Sequence, residues 1–409
     1  MKIKIKLHSF VLTSTSLVLF LILVSSVVSA SISETQMTNY GKANSPAIYG
    51  NTIVWNDINT EVSKIHIYDI STKKQSQITS STSKTDPAIY GNKVVYEDWR
   101  NGGPEIYMYD ISSKKETQIT NEENAVYPYI YGNIIAWNTD SGYSVGIYNY
   151  TTKKKTYISG YYVCGIYNNR IMLVRNNHDD GLRENNDIFV YDLSTKKTTQ
   201  ITTNGYNNGG NIYGNKLVWA HYYNYGTPEE YSNIFMYDLS TKKITQITTT
   251  KSLSCCPDIY GNTIVWEDNR NGNGDIYAYD LITHQQIHTK EKSDQEWPAI
   301  YGNKIVWTDY KWSNSGEKIA DIYMGTISFL PVADFTASPS SGSRPLNVQF
   351  TDKSTDAYYW SWDFGDKTTS ALQSPVHKYT KAGKYTVTLT VKNAAGKNTV
   401  KKANCITVK

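Results

Sequence analysis

The chain has 409 residues, 41 of them Lys or Arg and 37 Asp or Glu. Three lysines (Lys2, Lys4 and Lys6) crowd the N-terminus, which leaves 38 basic (41 less 3) against 37 acidic residues over the remainder, a net charge near +1. A protein so near neutrality, with its lysines spread in short pairs through turn segments, lacks the basic face that captures nucleic-acid phosphates, so the expected partners do not include nucleic acid.

Residues 1–30 read as a signal peptide. MKIKIK precedes an apolar stretch over residues 10–28, and Val28-Ser29-Ala30 offers small side chains at the spacing that signal peptidase prefers. The Ser and Thr content of the stretch and its small-residue end favour cleavage over retention as an anchor. No second apolar stretch follows, so the expected product begins at Ser31 and is secreted or held at the cell surface, with no membrane span after cleavage.

A repeat organises the next 300 or so residues. The run IYGN followed by an apolar triplet ending in Trp recurs, with weaker copies, so that Tyr49, Tyr90, Tyr131, Tyr167, Tyr213, Tyr260 and Tyr301 are spaced 41, 41, 36, 46, 47 and 41 residues apart. That is the length of a four-stranded blade. Each copy parses as a short apolar run such as PAIY, a Gly-Asn hairpin turn, a run such as KIVWTD, a polar loop, DIYMYDL, an STKK tip and TQIT. The runs lack clean apolar/polar alternation, as expected of strands buried on both faces.

TQIT-like segments follow six of the seven DIY runs, while the seventh, at Asp321, has none and an unassigned copy (TQMT) stands at Thr35. The spacing therefore predicts a ring closed by the N-terminus: residues 35–38 form the outer strand of a last blade whose other strands lie within residues 297–327. Closure removes the exposed sheet edge. These motifs resemble the TolB-like propeller repeats and, in very similar IYGN…W.D…DIY.YDL form, surface proteins of methanogenic archaea. The resemblance implies a seven-bladed β-propeller over residues 31–328, a fold that hosts binding, scaffolding and enzymatic roles alike.

After Phe329 the period stops. The segment WSWDFGDKTTS and then SPVHKYTKAGKYTVTLTVKN place Trp360, Trp362 and Phe364 on one face of a strand and Tyr385, Val387, Leu389 and Val391 on one face of another, which is half of a β-sandwich core. The WDFGD box from Trp362 to Asp366, with Pro345-Leu346, Phe350, Asp352, Ser354, His377-x-Tyr379, Gly383-x-Tyr385 and Asn393, resembles the PKD domain, with Lys367 where that family usually has Gly. The resemblance implies an immunoglobulin-like domain over residues 331–409, a spacer or adhesive module, so the whole chain is expected to be all-β.

The residues show no GxSxG elbow, HExxH or P-loop. Binding is expected at the ring face that carries the connections into the inner strands and the loops between strands two and three, three of which are long (176–186, 222–232 and 310–320). Asp86, Tyr127, Tyr162, Cys256 and Trp297 reach this face just before the inner strands, where the first blade has Ser45. Such a mouth suits a glycan or a surface protein. His178, beside Asp179 and Asp180, and His221 lie in neighbouring loops and are counted as ligand-binding residues. A shared metal there would make the alternative a metal-dependent polysaccharide lyase. Asp57, Asp98, Asp268 and Asp309 recur across blades and read as hairpin caps rather than as calcium ligands. Cys164, Cys255, Cys256 and Cys405 show no CxxC spacing, and a Cys255-Cys256 disulfide stays open. The expectation is recognition, adhesion or scaffolding without catalysis, metal or cofactor.

Overall fold

The computed structural model describes residues 30–58, 62–78, 82–121, 124–139, 144–176, 186–203, 205–313 and 316–409, and every regular element among them is a β-strand. Residues 1–29, and with them almost all of the expected signal peptide, lie outside the described residues. No described helix is long and apolar enough to cross a membrane.

Seven four-stranded antiparallel sheets follow one another along the chain. Their inner strands are Ala43–Tyr49, Lys84–Tyr90, Ala125–Tyr131, Tyr162–Tyr167, Asn207–Tyr213, Ser254–Tyr260 and Asp294–Tyr301, the first strands of blades 1 to 7. The Gly-Asn pair makes a two-residue hairpin: Tyr49 pairs with Thr52, and Gly50 takes φ +61°. That is the first central position of a type II′ turn, which favours residues without a Cβ penalty. In blade 4 the same place is taken by Asn168, at φ +56°.

Packing between blades explains the Trp found in five of the seven repeats. Trp55, Trp137, Trp219, Trp266 and Trp307, with Tyr96 in blade 2, are all but fully buried on the second strands and fill the clefts between neighbouring sheets. The final Thr of TQIT has a local duty: Thr120, Thr202 and Thr248 accept the backbone N–H of Ile106, Ile188 and Ile234.

The N-terminal strand closes the ring. Ser31–Gln36 pairs antiparallel with Lys318–Ser328, from Ser31 opposite Ser328 to Gln36 opposite Tyr323. The strand lies a few residues earlier than the expected 35–38, because the third strand of blade 7 runs eleven residues and draws its partner along it. Thr38 follows the strand and caps the blade as the TQIT threonines do, accepting from Ile322 N at 2.9 Å and donating to Asp321 at 2.8 Å.

The C-terminal unit is a sandwich of a three-stranded and a five-stranded sheet. Its core holds Phe335, Val348, Phe350, Trp362, Phe364, Tyr379, Val387, Leu389 and Val391, all nearly or fully buried. Trp360 is only partly buried and donates its indole N–H to Asp352 at 2.7 Å.

Candidate functional site

The seven inner strands enclose a central channel of about 860 Å³. Near the start of each, pairing with the second strand slips: the register jumps from Asn44 to Ala47, Thr85 to Ala88, Val126 to Tyr129, Cys255 to Asp258 and Glu296 to Ala299. The skipped residues are X-Pro pairs, and a Pro without an N–H is tolerated where the ladder is already broken. The X residue takes the left-handed conformation: Ser45, Asp86, Tyr127, Cys256 and Trp297 have φ between +48° and +60°. These residues lie within the inner strands, as bulges, rather than just before them.

The bulge sets what the channel sees. Asp86, Tyr127, Cys256 and Trp297 all line it, and Trp297 is 54% and Tyr127 58% exposed although both sit inside strands. Blades 3 and 7 are three steps apart in a ring of seven, so the two bulges stand on opposite sides of the channel. Burial raises the Asp86 carboxyl above its ordinary range, against bonds from Thr85 and Ser45. Deeper in, the Asp258 carboxylate accepts from Asn211 at 2.7 Å and from the backbone of Ile259 and Ile300 at 2.8 Å, and its carboxyl too is pushed up by burial.

The second strand of one blade holds the bulge of the next. Glu97 accepts from the Tyr127 N–H at 2.7 Å and from the Thr85 hydroxyl at 3.1 Å. Burial, and then the Asp86 charge, push the Glu97 carboxyl up to about 7. Glu267 receives the Trp297 N–H in the same way and is pushed up to about 7 by burial and by Glu296. Asn138 does this work for blade 4, accepting from Val163 N at 2.7 Å. These supporting residues went unnoticed in the sequence, where the one signal was a Glu directly before the recurrent Asp in two blades.

At the far end the repeat tyrosines form a closed collar. Each of Tyr49, Tyr90, Tyr131, Tyr167, Tyr213, Tyr260 and Tyr301 meets both neighbours, with ring centroids 4.6 to 4.8 Å apart and planes tilted 45° to 52°. Such tilted contacts suit the ring quadrupoles. Burial and the neighbouring phenols push the Tyr49 hydroxyl up to about 12, so it stays protonated.

Two expected site residues stand elsewhere, and a third is not among the described residues. Tyr162 does not line the channel, because blade 4 has no X-Pro pair: its register slips by one residue only, past Cys164, and Cys164 lines the channel instead. His221 is not in a loop. It lies inside the strand Lys216–Tyr223, is 8% exposed, holds Asn207 at 3.0 Å, and is packed edge-on against Tyr223 and Phe235. His178, with Asp179 and Asp180, lies outside the described residues. Strands extend into two of the three long loops, running to Tyr223 and from Tyr231, and to Trp312 and from Lys318.

The recurrent aspartates anchor the loops. Asp268 is fully buried and accepts from Arg270, Ser254 and Trp266, which hold its carboxyl below the ordinary range although burial opposes its charge. Asp98 is likewise fully buried, paired with Lys84 and Arg100. In both blades the Arg lies over a Tyr ring, Arg100 at 4.2 Å from Tyr107 and Arg270 at 4.3 Å from Tyr277.

Residues 330–408 match the family model for the PKD domain. The C-terminal unit is a PKD domain. Within it Lys367, in place of the usual Gly, has φ +74°, so a Lys carries the left-handed turn. His377 stacks flat on Phe364 at 4.1 Å and pairs with Asp366 at 2.8 Å, which ties the WDFGD box to the core. The PKD domain joins the propeller through a clamped linker: Gln285 makes two 3.0 Å bonds to the backbone of Leu330, and Asn393 donates to Phe329 O at 2.7 Å.

The remainder aligns with solved β-propellers. The β-propeller domain of the Trilobed protease from Pyrococcus furiosus matches at 12% identity and a TM-score of 0.55, over 70% of this chain and 94% of that one. Acylaminoacyl peptidase from Pyrococcus horikoshii matches at 9% identity and a TM-score of 0.56, over 77% of this chain and 59% of that one. TolB from Acinetobacter baumannii aligns more loosely, at 16% identity and a TM-score of 0.38, over 69% of this chain and 65% of that one. At these identities the likeness concerns the fold alone. The Pyrococcus furiosus domain is described as having an open velcro topology, whereas here the strand Ser31–Gln36 closes the ring.

Proposed function

We propose that this is an exported, non-catalytic recognition protein that takes a glycan at the propeller's channel mouth, with the PKD domain as a spacer or adhesive module. The observation that carries the reading is the pair of half-exposed aromatic side chains, Trp297 and Tyr127, presented by left-handed bulges on opposite sides of one opening. Sugar rings stack on such faces, and their hydroxyls find acceptors and donors in Asp86, Asn44 and Asn208 of the same lining. Other exposed aromatic residues, Tyr40, Trp99 and Trp312, stand on the connecting loops and hairpin tips of the same face and widen the platform. The lyase alternative has lost its histidine pair as a support, since His221 is engaged within the sheet.

A glycan and peptide array probed with the exported protein, followed by product analysis of any glycan bound, tests the reading. Retention of specific glycans unchanged in length is the expected result. Capture of peptides alone would transfer the site to a surface-protein ligand, and shortened or unsaturated sugars would overturn the non-catalytic assignment.

A further inference from the structure

Successive side chains of an extended strand point to opposite faces, so adjacent cysteines do not ordinarily face one ligand together. Blade 6 breaks this rule, because Cys256 is itself the bulge residue, at φ +52°, and the register slips between Cys255 and Asp258. Both thiols come to one side, with their sulfur atoms 3.5 Å apart. Glu267, paired with Cys255 across the hairpin, adds a carboxylate oxygen, and the three ligand atoms all lie within 4.8 Å of one another. Among the described residues this is the one group of three such side chains placed to share an ion.

We propose that Cys255, Cys256 and Glu267 bind a zinc-class divalent cation at the channel mouth. The spacing favours a shared ion over a bond between the sulfurs. Two thiolates on a tetrahedral zinc with bonds of about 2.3 Å sit roughly 3.8 Å apart, close to the distance found. A disulfide needs about 2.05 Å and usually Cα atoms about 4.4 to 6.8 Å apart, whereas neighbours in the chain are fixed at about 3.8 Å. Two sulfurs and one oxygen form a borderline-soft donor set that suits zinc better than calcium or magnesium. Binding of the cation displaces the ligand protons, so affinity is expected to rise with pH.

Blade 2 provides an internal comparison. Glu97 occupies the place of Glu267, but Thr85 and Asp86 stand where blade 6 has the two thiols, so the glutamate's support of the next bulge needs no cysteine. Three protein ligands leave a fourth position open toward the channel, which Cys255 and Cys256 line. The inference is independent of the glycan reading, since it rests on ligand atoms rather than on the aromatic platform.

Cobalt(II) titrated into the intact, reduced protein, followed by displacement with zinc(II), tests the site. Stoichiometric binding with a sulfur-to-cobalt charge-transfer band is expected, lost in Cys255→Ser and Cys256→Ser, weakened in Glu267→Gln, and unchanged in Cys164→Ser and Cys405→Ser. Thermal unfolding of each variant separates loss of the site from loss of the fold. The proposal is overturned by an absent charge-transfer band in the folded wild type, by binding that survives Cys255→Ser, or by a Cys255-Cys256 disulfide in the exported protein.

Discussion

Trp297 sits at φ +60°, a region that costs an L-residue about 1 to 2 kcal/mol, while blade 5 fills its own bulge with Gly209 at φ +44°. Strain of this kind in an exposed aromatic residue points to a use for the side chain. Trp297→Gly should therefore leave stability within about 1 kcal/mol, because relief of strain offsets the entropy of the freer unfolded chain; a fall in melting temperature equivalent to about 3 kcal/mol or more would return Trp297 to the core. Glu97 carries a pH prediction. Its folded carboxyl titrates near 7 rather than at its ordinary value of 4.5, so the folded state holds the proton more tightly and stability falls as pH rises from about 4.5 through 7. The loss is on the order of 3 kcal/mol, and Glu97→Gln, which keeps an acceptor for the Tyr127 N–H, should flatten this part of the stability curve; an unchanged slope in chemical unfolding between pH 5 and 8 would refute it. The channel residues Asp86, Tyr127 and Trp297 were legible because copies within one chain differ there. Tyr162 was misplaced because blade 4 lacks the proline that marks the bulge, and the cysteine pair went unread because ligand-spacing rules assume regular backbone, which the bulge abolishes.

At the scale of the element, the blade motif is a set of hydrogen bonds as much as a hydrophobic pattern. Thr38 supplies the last blade with the same bonds that Thr120, Thr202 and Thr248 supply to theirs, across 283 residues of chain. Thr38→Val should cost about 1 to 3 kcal/mol, since it strands the buried Ile322 N–H and leaves Asp321 Oδ1 with the Gly41 N–H as its remaining donor. Deleting residues 31–38 should cost more, because it also bares the edge of Lys318–Ser328 and uncovers Trp307 and Tyr323, against which Ile32 packs. Thermal unfolding of the two variants checks both, and a deletion as stable as the parent chain would mean that the ring does not depend on its N-terminal strand. The need for a strand from the N-terminus was readable from the missing TQIT copy. Its register was not, because register depends on how far the third strand of blade 7 extends, and GTIS carries no turn signal to stop it.

At the scale of the whole molecule, the sandwich core and the ring of inter-blade clusters meet at a short linker. The PKD domain buries its own cluster around Trp362 and Phe350, so a fragment of residues 331–409 should unfold cooperatively in urea; a non-cooperative transition would show that it needs Gln285 and the rest of the propeller. The all-β class and a second, PKD-like unit were legible because the repeat stops after residue 328 and the WDFGD box stands at Trp362 to Asp366. The collar of seven tyrosines was visible only as a spacing, since nothing in a one-dimensional repeat says that equivalent side chains will touch around an axis. The decisive feature is a mouth that recognises its ligand through Trp297 and Tyr127. Calorimetric titration of an array-selected glycan into the wild type, Trp297→Gly and Tyr127→Gly measures this most directly. Binding to the wild type and a loss of about 1 to 3 kcal/mol in each variant at unchanged melting temperature are expected; equal affinity in all three proteins would contradict a recognition site at the mouth.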